Sequence, residues 1–171
     1  MALLKIAGNG NLTVVDLDNT TATSNDASNI STLRPNIDKT SIIAYPNSKV
    51  IIKNSFLSAL GWASTPTYAR GMELFSPALL SNLTFTGTNN GYLVINPEAN
   101  NTVITSSYFT YGVEDMFAIV FAVNTSNGGM ARRVANVTIE YTNFTNPTTT
   151  EQAHFINASF STGLNLRHNK F

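Results

Sequence analysis

Four nine-residue segments of this chain align without a gap, and that repetition restricts the fold more than any other feature. They are residues 48–56, 101–109, 136–144 and 163–171. Each closes on a phenylalanine (Phe56, Phe109, Phe144, Phe171), and each has an aliphatic residue five positions earlier (Ile51, Ile104, Ile139, Leu166). Two weaker copies, 82–90 and 11–19, lack the phenylalanine. Apolar residues two apart, such as Val137 and Ile139, lie on one face of a strand. The small and amide-bearing residues that follow suit a bend, after which the phenylalanine returns to the same interior. A strand, a corner and a second inward residue make one turn of a solenoid. All four phenylalanines, with Ile51, Ile104, Ile139 and Leu166, are therefore expected to point inward.

The copies begin at residues 11, 48, 82, 101, 136 and 163, an irregular set of intervals that fits one coil plus a loop of variable length. A second short apolar element falls inside several intervals, at 92–95, 117–121 and 154–160, and could supply another strand of the same coil. The chain reads as a single all-β domain over 1–171, with a less regular segment at 1–47 and the repeats at 48–171. The polar stretch 20–36 carries no periodicity and is expected to form a long loop or arm. Residues 60–68, which contain the single tryptophan Trp62, read as a loop projecting from a coil.

Charge is what the composition lacks. Only 12% of residues are charged, against about 25% in an ordinary soluble domain. Lys+Arg and Asp+Glu number 10 each, so no basic excess is available to neutralise phosphates, which argues against nucleic acid as a partner. Asn, Thr and Ser take the place of charge, and they favour turns and extended chain over long helices. A neutral surface of this kind repels its own copies weakly. The absence of cysteine removes disulfides, zinc–thiolate sites and thiol nucleophiles. The longest apolar runs, such as 116–123, are too short to span a bilayer as a helix, and no membrane or export segment is expected. Nine Asn-x-Ser/Thr sequons occur; with no signal peptide in view they read as a consequence of composition rather than as glycan acceptors.

Residues with chemistry are sparse. Glycoside hydrolysis needs two carboxylates facing one bond, yet the one close acidic pair, Glu114-Asp115, has neighbours pointing to opposite sides of an extended chain. Asp16 and Asp18 share a strand face but precede a turn at Asn19-Thr20. His154 and His168 fall in different coils without carboxylates beside them, a weak basis for a metal site. No cofactor and no metal are expected. The candidate contact residues are Trp62, Tyr108 and Tyr111, which could stack on a sugar or anchor a neighbour, together with Arg132, Arg133 and Phe171.

The pattern of Asn, then aliphatic–x–aliphatic, then an Asn-rich corner, then Phe resembles the right-handed parallel β-helix of the pectate-lyase-like class, best over 136–144 and 163–171. That resemblance implies polysaccharide chemistry through a calcium site and a catalytic arginine. Arg132 and Arg133 have no carboxylate cluster at matching repeat positions, so the catalytic residues do not carry over. An antiparallel jelly-roll sandwich would use alternating runs such as 133–141 equally well, and both architectures stay open at this point.

By analogy with such folds the expected function is a non-enzymatic structural protein of a virion, a capsid decoration (cement) or fibre-type protein. It would be made in the host cytoplasm and form a homo-oligomer, a trimer among the options, beside other virion proteins. The alternatives are a carbohydrate-active β-helix enzyme and an adhesin that binds a surface glycan. The last repeat ends on Phe171, and its strand edge is expected to be covered by the N-terminal segment, a sister subunit or the capsid surface.

Overall fold

The computed structural model describes residues 4–6, 13–18, 21–23, 42–58, 72–87, 93–111, 117–122, 132–145 and 154–171. Among these the regular structure is entirely β, and the strands recur in threes. The first turn contributes β1 (Leu4–Ile6), β2 (Thr13–Asp18) and β3 (Thr21–Thr23). The second contributes β4 (Ile42–Ala44), β5 (Ser48–Lys53) and β6 (Phe56–Ser58); the third β7 (Met72–Leu74), β8 (Ala78–Ser81) and β9 (Thr84–Gly87). The fourth holds β10 (Leu93–Ile95), β11 (Val103–Thr105) and β12 (Tyr108–Tyr111). The fifth holds β13 (Phe117–Phe121), a short β14 (Val134–Ala135), β15 (Thr138–Glu140) and β16 (Asn143–Thr145). The sixth closes with β17 (His154–Asn157), β18 (Ser161–Thr162) and β19 (Asn165–Arg167).

Each strand pairs with its equivalents one turn before and one turn after. The first sheet runs β1-β4-β7-β10-β13-β17, the second β2-β5-β8-β11-β15-β19 and the third β3-β6-β9-β12-β16, with β14 and β18 as a separate pair. Every one of these pairings is parallel. An antiparallel sandwich has no place in that pattern, because its strands are joined by hairpins.

The interior consists of columns of like residues, one per turn. Ile52, Leu80, Ile104, Ile139 and Leu166 share one register position of the second sheet. Five residues on in each turn lie Leu57, Phe85, Phe109, Phe144 and Phe171. Their rings stack face to face: Phe85–Phe109 at 4.6 Å, Phe109–Phe144 at 5.1 Å and Phe144–Phe171 at 5.2 Å between centroids. Phe85, Phe109 and Phe144 are fully buried. In the first sheet β4, β7 and β10 are buried on both faces, since Ile43, Glu73 and Val94 alternate with inward residues and are also under cover. That explains its unbroken apolar runs such as 42–44 and 93–95, which a one-sided strand would not need.

Left-handed backbone builds corners on both sides of the second sheet. Asn47, Asn101, Asn136 and Gly163 precede the second sheet with φ of 63°, 63°, 55° and 68°. Asn54, Asn82, Ser106, Tyr141 and His168 follow it with φ of 50–52°. Asn and Gly enter this region at low cost. Ser106 and Tyr141 do not, and the stack holds them there: like Asn82, each donates its N–H to the next turn at 3.0 Å (Asn82 to Thr105 O, Ser106 to Glu140 O and Tyr141 to Arg167 O). A buried hydroxyl follows three of these bends, at Ser55, Ser107 and Thr142. Ser107 Oγ donates to Thr105 O at 2.9 Å and accepts from Leu83 N at 3.2 Å. Thr142 Oγ1 donates to Glu140 O at 3.0 Å and accepts from Ser107 N at 3.4 Å.

The repeat is real, but its phase differs from the sequence alignment in the early turns. Phe56 points outward and is 40% exposed; Leu57 takes the inward place. Likewise Ile51 is half-buried on the outer face, with Val50 and Ile52 inside. The copy at 82–90 starts too late: Leu80 and Phe85 hold the aliphatic and aromatic positions. The corner-to-corner intervals are then 28, 24, 35 and 27 residues, more even than the alignment implied. The copy at 11–19 is also out of phase, since Leu17 rather than Val14 pairs with Ile52. Leu166 and Phe171 occupy the inward columns but remain 48% and 62% exposed, as members of the last turn described. Coils reach into the segment 1–47, through β1 to β4. The stretch 24–41 and the loop 60–68 lie outside the described residues.

Candidate functional site

A cleft of about 460 Å³ opens where successive turns pass from the first sheet to the second. Three corners line it: residues 46–49, 75–77 and 97–100, with Arg132 from the next turn. A proline sits in each corner, Pro46, Pro77 and Pro97, where its fixed φ turns the chain without removing a ladder donor. Tyr45 stacks on Phe75 of the lining at 6.5 Å. Ser48 Oγ and Ser76 Oγ each donate to Tyr45 O at 2.7 Å, and Ser48 N donates to Ser76 Oγ at 3.1 Å. One turn on, Thr102 Oγ1 donates to Ala99 O at 2.8 Å, and Asn100 Oδ1 accepts from Ala135 N at 2.7 Å. The walls are thus tied into the stack.

Glu98 is the one carboxylate of the lining. Its Oε1 meets Arg132 Nη1 at 3.2 Å. Its Oε2 is buried and has no donor among the described residues, an arrangement that costs stability unless another group supplies one. Lys49 and Arg132 stand at the exposed rim. A group bringing a hydroxyl or N–H to Glu98 and an apolar surface to Phe75 would suit the cleft. Hydrolysis of a glycoside calls for two carboxylates.

Among the sequence candidates, Arg132 therefore lies in the cleft and Arg133 is exposed beside it. Tyr108 is elsewhere, on the outer face of the third sheet, 38% exposed and level with Phe56, Thr84 and Asn143. Thr145 donates to its phenol oxygen at 2.9 Å; that bond, with one from Thr110, draws the phenol below its ordinary pKa of 10.0. Tyr111 is in β12, opposite Gly87, with its side chain outside the described set, as is Trp62. Phe171 closes the aromatic column at the end of the stack. These residues form no single site. Glu114-Asp115 also lies outside the described residues, and no group of three or more His, Asp or Glu gathers among the described ones. His168 stacks on Tyr141 at 4.9 Å, while His154 belongs to the first sheet. Glu98 escaped the sequence reading because the residues facing it belong to other turns, its partner Arg132 being 34 residues on; the recurrence of Pro at one corner was the available signal.

Comparison with protein-family models, with curated proteins and with solved structures found no match.

Proposed function

We propose that the coil is a right-handed parallel β-helix of the pectate-lyase-like kind, and that the chain is a non-enzymatic structural protein that assembles with its own copies. A virion decoration, cement or fibre protein is the setting that fits best. Handedness follows from the general rule that parallel crossovers in one sheet wind right-handed. The observation that carries the functional reading is the outer face of the second sheet. There Ile51, Leu79 and Val103 form an outward column of half-buried apolar side chains, with Thr138 and Asn165 continuing the register on one side and Asp16 on the other. An apolar outward column on a nearly uncharged protein suits contact with a neighbour better than free solution.

The cleft at Glu98 supports a second reading, a glycan-binding adhesin, through its aromatic wall and its unsatisfied carboxylate oxygen. An enzyme acting on polysaccharide is the third. One assay separates them: the purified protein is incubated with neutral and acidic polysaccharides, and both binding and new sugar ends are followed. The structural reading expects neither. Binding abolished by Glu98→Gln would establish the adhesin, and turnover abolished by the same change would establish the enzyme.

A further inference from the structure

We infer that a groove running from the outer face of the second sheet into the Glu98 cleft takes an extended segment of a partner protein, in which an apolar side chain and a carboxylate stand two residues apart. The inference goes beyond assembly with the chain's own copies: it assigns a site for a different chain and the pattern that chain must carry.

The groove is two concavities that meet. An apolar hollow of about 240 Å³ lies over Ile51, Leu79 and Val103, the cleft of about 460 Å³ lies at the corners beside it, and Lys49 and Pro77 line both. They are joined along the strand direction. Lys49, Pro77 and Asn101 stand two residues before Ile51, Leu79 and Val103 and are exposed, so each pair shares the outward face with about 6.7 Å between its members. The corners come next, with Phe75 and Glu98. A segment laid along this line in extended form has the same repeat, because its alternate side chains point one way at that spacing. An apolar side chain in the hollow therefore places the side chain two residues on above Lys49.

Charge decides what that second side chain is. Arg132 and Glu98 answer each other at 3.2 Å. Lys49 stands between the buried Ser48 and Val50, level with Val14 of β2, and has no acidic partner among the described residues. It is the charge left over in the groove, and a carboxylate complements it. Beyond Lys49 the segment enters the cleft, where a backbone N–H reaches the buried Oε2 of Glu98, which has no donor among the described residues. Supplying that donor removes the cost of leaving it bare. A folded second copy offers a sheet face, which covers the hollow without descending between the corners; a single extended segment does both.

The test is a titration of the full chain, kept dilute so that copies do not pair. The probes are two blocked pentapeptides, acetyl-Leu-Ser-Glu-Ser-Ala-amide and the same residues in reverse order, because the groove admits either direction. Backbone amide shifts are followed by NMR. At least one peptide should shift Leu79 and Val103 in the hollow together with Glu98 and Asn100 in the cleft, on one saturation curve. Replacing its glutamate by glutamine should weaken binding about three- to fivefold, the size of an exposed ion pair, and Lys49→Gln, at an exposed position, should remove that difference. No saturable shift up to about 10 mM peptide, shifts confined to one concavity, equal affinity for the two side chains, or a difference that persists in Lys49→Gln would each overturn the proposal. Self-assembly is read separately, from the mass of the protein in solution, and survives all four results. The same shifts in hollow and cleft on concentrating the protein alone would also overturn it, by giving the groove to a second copy.

Discussion

Phe144 shows how much a single residue does here. Its ring lies between Phe109 at 5.1 Å and Phe171 at 5.2 Å and is fully buried. Truncating it removes contacts on both faces, in a stack too regular for one neighbour to collapse inward. Phe144→Ala should cost about 3–5 kcal/mol, the usual range for a buried phenylalanine, read from denaturant midpoints. Phe56→Ala removes a ring that is 40% exposed on the outer face and should cost less than about 1 kcal/mol. Similar losses from the two substitutions would contradict the assigned phase of the repeat. Asn101 offers a backbone test. At φ 63°, Asn101→Gly should be nearly neutral, whereas Asn101→Val should cost about 1–2 kcal/mol because a β-branched side chain resists the left-handed region. Equal stability of the two variants, measured by thermal unfolding, would mean that the corner relaxes freely.

At the scale of the element, the corner hydroxyls link consecutive turns. Ser107 Oγ satisfies Leu83 N from the preceding turn and Thr105 O from its own. Ser107→Ala leaves a buried N–H without its acceptor and should cost about 1–3 kcal/mol. Amide exchange should show the opening at Leu83 and Ser107 rather than across the whole chain; uniform acceleration would argue against a local role. The sequence made these elements legible unevenly. Ile104, Ile139, Phe109 and Phe144 announced the columns because inward residues were aliphatic or aromatic at a fixed separation of five. Residues 48–56 misled because Ile51, Ile52, Phe56 and Leu57 are all apolar, so either of two phases satisfies the pattern. Strand pairing decides between them, and pairing is non-local. Ser106 and Tyr141 were silent for a related reason: nothing in their own chemistry asks for positive φ, and the neighbouring turns impose it. The cleft was hidden in the same way, since Glu98 and Arg132 meet only once the coils are stacked.

For the whole molecule, the parallel stack leaves two kinds of surface, sheet edges at the ends and sheet faces along the sides. A neutral chain with 12% charged residues has little to keep such faces apart, and the second sheet turns the half-buried apolar side chains of Ile51, Leu79 and Val103 outward. This assigns association to a side of the solenoid. Sedimentation velocity over concentrations from about one to several hundred micromolar, the range in which weak dimers populate, tests that account most directly. The weight-average mass should rise above the 18.5 kDa of one chain as concentration increases, and Leu79→Glu should hold it there. A wild type that sediments as a single 18.5 kDa species at every concentration would contradict the reading of this protein as an assembling, structural one.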